Sequence, residues 1–249
     1  MSLNSTIKEL ETVKSTTGTS QRTAALVVGI GLLLMTVFAI FGTSFALDTL
    51  VVSRDAATTA ENILNNENLF RMGIFSILIV IILDVIVAWG LYVFLRPVNW
   101  TLSLLGGWFR LGYSAIFFVA VISLVNALGL LTDANNAALF EADQLPSQVM
   151  LSLNSFYAGW DAGLAIFGIH LIIAGYLIFK SGNMPRILGL LVLIAGLGYT
   201  LDTFIALLLP QFTVTLSLFT FIGVLLLAIW LLVKGLRAKE WQDGALKSS

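Results

Sequence analysis

Long apolar stretches separated by short polar ones set the rhythm of this chain. They are Ala24–Leu47, Phe70–Leu95, Thr101–Leu131, Trp160–Phe179, Ile187–Leu209 and Val214–Val233. At 1.5 Å of rise per residue, about 20 such residues cross the roughly 30 Å of hydrocarbon in a bilayer. The pattern predicts an all-α, polytopic integral membrane protein with six transmembrane helices. The third stretch is the longest and is expected to protrude on one side, whereas Val51 and Val52 are too few to span. Residues 1–22 and 236–249 read as polar tails around a membrane domain of residues 23–235.

The segments between the spans carry their own signals. Asp55 can cap a short outer-loop helix from Ala56 to Asn65 that runs on towards the second span. Pro146 suits the first turn of a helix that feeds the fourth span. Arg96-Pro97-Val98-Asn99 and Ser181-Gly182-Asn183-Met184-Pro185 read as turns, and Pro210 ends the fifth span. Ser44-Phe45-Ala46 resembles a small-residue cleavage site, but the apolar run before it is too long for a signal peptide, so the first span is expected to stay as an anchor.

Composition agrees: 58% of the 249 residues are hydrophobic and 11% charged, and mean hydropathy is +0.97. The net charge of −1 gives no footprint for nucleic acid. With no Cys, disulfides, thiolate catalysis and Cys-held metals are excluded, and one His cannot build a two-His zinc site. No catalytic residue, metal or cofactor is indicated. The expected partners are the lipid bilayer, a small molecule or ion, and a second copy of the chain.

Basic residues set the orientation. Lys8, Lys14, Arg22, Arg96, Lys180, Arg186, Lys234, Arg237, Lys239 and Lys247 fall on one side of the six-span scheme; only Arg54 and Arg71 fall on the other. This predicts cytoplasmic termini and outward-facing acidic loops at residues 48–69 and 132–159. Trp100, Trp160 and Trp241 suit interfacial belts, and the cluster from Lys234 to Lys239 suits an anchor on anionic headgroups.

Ionisable groups inside a span are costly and therefore informative. Asp84 lies 11 residues before Leu95, Arg110 ten after Trp100 and His170 ten before Lys180. All are thus roughly 15 Å deep, near the midplane. Asp84 and Arg110 are also symmetric about Pro97, which predicts an ion pair across the hairpin with His170 at the same level. Ser103, Gly106, Gly107, Arg110, Tyr113 and Ser114 share a stripe on the third span, where small residues admit a neighbouring helix and Tyr113 can donate to a carboxylate. Asp202, on a face with Tyr199, falls in the outer half of the fifth span and is expected to line an outer pocket rimmed by Asn126, Asn154 and Tyr157. Asp161, beside Trp160, is expected at the outer interface.

An internal offset of 86 residues aligns Asn68, Phe70, Gly73, Ala88 and Leu91 with Asn154, Phe156, Gly159, Ala174 and Leu177, and Leu111-Gly112-Tyr113 with Leu197-Gly198-Tyr199. It pairs the second–third hairpin with the fourth–fifth in the same sense.

Several strings resemble a known family. They are Arg54-Asp55-Ala56-Ala57, Ala60-Glu61-Asn62-Ile63-Leu64, Phe70-Arg71-Met72-Gly73-Ile74, Leu95-Arg96-Pro97-Val98-Asn99, Phe109-Arg110, Phe167-Gly168-Ile169-His170-Leu171, Lys180-Ser181-Gly182 and Pro185-Arg186-Ile187-Leu188-Gly189. They resemble the bacterial multi-pass group catalogued as domain of unknown function 4386, over roughly Arg22 to Gly235. The resemblance implies six helices in a bacterial plasma membrane and no activity. The family often has an acid in its last span, where this chain has Val224.

Three functions stay open on this reading. The midplane cluster of Asp84, Arg110, His170, Tyr113 and Ser114 can bind or move a small molecule or ion. It can instead fix helix packing in a structural or regulatory subunit. An intramembrane enzyme has the weakest support, since no nucleophile motif accompanies His170.

Overall fold

Ser20 opens the first helix by accepting the Thr23 amide on its hydroxyl, which satisfies one of the free donors of the first turn. A computed structural model describes residues 20–141, 143–209, 211, 216 and 222–236. These form α1 (Gln21–Leu50), α2 (Ala56–Asn65), α3 (Glu67–Leu95), α4 (Trp100–Thr132), α5 (Ala134–Ala137), α6 (Leu145–Lys180), α7 (Arg186–Leu208) and α8 (Ile222–Leu236). The chain is an all-helical membrane protein. α1, α3, α4, α6 and α7 are each long and apolar enough to cross a bilayer, and α8 is a shorter apolar helix. The tails, Pro210, Lys239, Trp241 and the first part of the expected Val214–Val233 span lie outside the described residues, or largely so.

The largest departure from expectation is α6, which begins at Leu145 rather than Trp160. Pro146 sits in its first turn, where a missing N–H costs nothing. Val149, Leu153 and Phe156 are then fully buried against Ile63 and Phe70, so packing carries the helix beyond the apolar run that hydropathy detects. α2 and α3 are separate helices, broken at Asn66, whose backbone (φ −130°, ψ 41°) is not helical.

Asp55 caps α2. Its carboxylate accepts the Thr58 amide at 3.0 Å and the Thr58 hydroxyl at 2.7 Å. These bonds hold the carboxyl below its ordinary value of 3.8. The cap therefore supports α2 above that pH and loses its effect as pH falls through the lowered value. Asp55→Ala is expected to speed amide hydrogen exchange across residues 56–65 at neutral pH and to leave it unchanged in strong acid. A difference of equal size at both pH values would contradict this.

Side-chain bonds between helix ends gather the basic turns at one end of the bundle. Gln21 Nε2 donates to Val93 O and Arg22 Nε to Gly235 O, both at 2.9 Å, and Ser103 Oγ donates to Tyr92 O at 2.9 Å. The start of α1, the end of α3, the start of α4 and the end of α8 thus meet there. At the opposite end, α2 covers α4 and α6.

Lipid tails are as apolar as Leu, so burial alone does not drive these helices together; close packing does. α6 and α7 meet through glycines. A β-carbon on Gly175 would lie 2.5 Å from Leu193 N and 2.7 Å from Gly189 O, and one on Gly196 would lie 2.6 Å from Gly168 O. α1 meets α3 through Gly42, Gly73 and Ala46, where a β-carbon on Gly73 would be 2.7 Å from Ala46 Cβ. Next to this contact α1 widens into a π-helical turn over Phe41–Leu47, a form that recurs at functional sites. One apolar cluster fills the basic end of the bundle and another the α2 end. Asp84, Arg110 and His170 sit at their junction.

Candidate functional site

Equal depth becomes contact. Arg110 Nη2 donates to Asp84 Oδ1 at 2.5 Å, and Arg110 Nη1 lies 3.1 Å from His170 Nε2. Asp84, Arg110 and His170 are 1%, 1% and 2% exposed, so the network joining α3, α4 and α6 is closed off from both solvent and lipid. Ser114, one turn beyond Arg110, donates a short hydrogen bond to Asp84 Oδ2 and also points at Arg110 O. Both carboxylate oxygens are therefore engaged.

The donor and acceptor inventory settles the state of His170. Its Nδ1 lies 2.8 Å from Gly106 O, an acceptor only, so Nδ1 must carry a hydrogen. Its Nε2 faces a guanidinium, a donor only, so Nε2 must be bare. His170 is neutral and accepts from Arg110. It is the only His in the chain, so its nitrogen spectrum is unambiguous. Nitrogen-15 NMR is expected to show a protonated Nδ1 and a bare Nε2, and the opposite tautomer would overturn the assignment.

Tyr113 does not reach the carboxylate; Ser114 takes that place. On α4 the two residues point to opposite sides of Arg110's row, and Tyr113 is held by rings: its centroid lies 5.7 Å from Phe117 and 4.9 Å from Phe167. The Arg110 guanidinium carbon lies 5.3 Å from the Phe167 centroid, a cation–π contact. Met35 Sδ, from α1, lies 3.9 Å from Arg110 Nη2. The sequence carried one signal for Phe167, which is three residues before His170 and so shares its helix face. Nothing in the sequence marked Met35.

A cavity of about 200 Å³ lies on the far side of Arg110. Its described walls come from α1 (Met35, Thr36, Ala39, Thr43), α3 (Ile77, Val80), α4 (Arg110, Tyr113, Phe117), α6 (Trp160, Phe167), α7 (Tyr199) and α8 (Val224, Ala228). Tyr199 thus shares one site with the midplane cluster rather than forming a separate outer pocket. Asp202 is not among these walls; its Oδ1 accepts the Leu216 amide at 2.8 Å. Asn126, Asn154 and Tyr157 do not line the cavity either. Asp161 is exposed, and its carbonyl accepts the Thr203 hydroxyl.

The polar groups facing the cavity are unequally satisfied. Thr36 and Thr43 give their hydroxyl hydrogens to Leu32 O and Ala39 O on their own helix. Arg110 Nε and Trp160 Nε1 are buried with no acceptor among the described residues, and Trp160 Nε1 approaches the Tyr113 hydroxyl without reaching hydrogen-bond geometry. Among the described residues no group of His, Cys, Asp and Glu is placed to hold a metal ion.

The offset of 86 residues acquires a structural meaning here. It carries Asp84 to His170, the two groups that flank Arg110. It carries Tyr113 to Tyr199, both in the cavity wall. It carries Ser114 to Thr200, each bonded to the carbonyl one turn earlier. It carries Arg110 to Gly196, and that exchange separates the hairpins: the glycine lets α6 and α7 touch backbone to backbone, whereas the guanidinium fills the space between α3, α4 and α6.

Among known proteins, an uncharacterised protein of Archaeoglobus fulgidus is 36% identical over 168 residues, covering 68% of this chain and 86% of that protein. No solved structure matches. The profile of the group described as domain of unknown function, DUF4386, matches residues 27–235. That stretch holds the ion pair, its histidine and every described wall of the cavity, and the chain belongs to the DUF4386 family.

Proposed function

We propose that this protein binds a small apolar molecule inside the membrane, in the cavity that Arg110 closes. The observation that carries this reading is the cavity itself: about 200 Å³ of space bordered by a buried guanidinium and an aromatic wall. Small-molecule sites are typically apolar hollows with a few polar groups that fix orientation. An apolar engineered cavity of roughly 150 Å³ stays dry and takes benzene. Transport of the bound molecule is the natural extension of the same reading.

A second reading has its own support. Asp84 uses both oxygens and His170 both nitrogens on protein partners. A network so fully engaged serves as a clamp between α3, α4 and α6. The two readings divide the guanidinium: its Nη groups hold helices together, and its remaining edge faces the cavity.

The site of action we propose is a bacterial plasma membrane, with both termini in the cytoplasm. Support comes from the basic residues at the α3–α4 and α6–α7 turns and at the start of α1.

Binding is testable with N-phenyl-1-naphthylamine, which fluoresces in apolar sites, on the full chain in nanodiscs. Ala39→Phe places a ring in the cavity from α1. It is expected to weaken saturable probe binding at least tenfold while the helical circular dichroism and melting temperature stay near wild type. Equal binding by a folded Ala39→Phe protein would sink the proposal.

A further inference from the structure

We infer that the molecule held in this cavity is neutral and planar and carries a carbonyl-type acceptor, which it presents to Arg110 and Trp160. The inference rests on the binding reading above and specifies its ligand.

Charge comes first. Arg110 is the only ionisable cation or carboxylate among the described walls, and its charge is already matched by Asp84 at 2.5 Å. His170 adds nothing, because its bonds fix it as neutral. An anion entering this low-dielectric space would find no unmatched cation, and a cation would meet the guanidinium. Burying an unmatched charge is far costlier than burying a neutral group.

Hydrogen bonding comes second. The groups left without partners are donors: Arg110 Nε and Trp160 Nε1. The threonine hydroxyls of the wall are spent on their own helix. A ligand that offers an acceptor completes the site, whereas one that offers only donors would bury them unmet.

Shape comes third. Tyr113, Phe117, Trp160, Phe167 and Tyr199 supply an aromatic lining, with Phe117 and Trp160 centroids 5.2 Å apart and Phe167 edge-on to Tyr199 at 5.5 Å. Since roughly 150 Å³ suffices for one benzene ring, about 200 Å³ has room for a fused pair. A flat bicyclic ketone or quinone drawn from the bilayer meets all these conditions.

The test uses the full chain in nanodiscs, loaded with N-phenyl-1-naphthylamine and titrated with competitors of one shape: naphthalene, 1-acetonaphthone and 1-naphthoate, each corrected for uptake by empty nanodiscs. Expected is displacement by 1-acetonaphthone about tenfold better than by naphthalene, with 1-naphthoate the weakest. Trp160→Phe keeps the ring and removes one donor, so it is expected to lower the ketone's advantage several-fold while naphthalene still competes. Infrared spectra should place the bound ketone's carbonyl stretch below its position in empty nanodiscs. If the ketone and naphthalene compete equally, the acceptor inference fails and the cavity reading stands. If naphthoate competes best, the neutrality argument fails. If no competitor displaces the probe, or the probe does not bind, the cavity reading itself fails.

Discussion

Asp84→Ala is expected to destabilise the folded protein by about 3–5 kcal/mol, the usual cost of orphaning one member of a buried ion pair. The substitution leaves the Arg110 guanidinium 1% exposed with His170 and Met35 as its remaining partners, and neither is anionic. It also strips Ser114 of its charged acceptor. Asp84→Asn should cost nearly as much, because the amide keeps the shape but not the charge. The informative control is the double variant Asp84→Leu, Arg110→Met. Removing both charges removes the need to neutralise either, and apolar replacements of buried pairs are often neutral or stabilising. Equilibrium unfolding in mixed dodecylmaltoside and SDS micelles, followed by helicity, should rank the double variant well above either single one. If the double variant is as unstable as Asp84→Ala, the pair is not acting as a coupled unit and the clamp reading fails.

The second large effect is expected at the α6–α7 crossing. Gly175→Ala puts a methyl 2.5 Å from Leu193 N and 2.8 Å from Leu193 Cα. These are backbone atoms, which cannot rotate away as a side chain can, so the helices must separate along their length. Overpacking usually costs about 1–3 kcal/mol, and this position belongs at the upper end. Gly107→Ala supplies the contrast. Its added methyl would meet nothing closer than Tyr92 Cβ at 3.9 Å, an ordinary contact. Alanine's better helix propensity should then make it neutral or stabilising by about 0.5–1 kcal/mol. The same unfolding assay separates the two. Similar losses in both would show that glycine is needed for something other than close approach.

Much of the arrangement was readable along the chain. Expected and observed helix ends agree within three residues at Leu95, Trp100, Leu131 and Ile187, because hydropathy and turn residues act locally. Asp55 and Pro146 signal helix starts through chemistry that involves only their near neighbours. The pairing of Asp84 with Arg110 follows from counting residues from Pro97, since each residue advances a helix by a constant rise. The start of α6 did not follow, because its first turns are held by contacts with α2 and α3 rather than by their own hydropathy.

Rotation and lateral distance are another matter. Tyr113 and Ser114 are equally deep, yet only Ser114 meets the carboxylate. Tyr199 and Asp202 share a helix face in the sequence, yet only Tyr199 reaches the cavity.

What the sequence determined by itself is therefore the membrane setting, the helix order and the depth of each buried charge, all quantities measured along the helix axes. Tertiary structure alone decided which donors face the cavity, how the Gly175–Gly189 contact draws α6 to α7, and why Arg110 leaves space beside it. The physical reason is that distance along a helix is a property of one backbone, whereas rotation about it and separation from neighbours are set by every side chain in the interface at once.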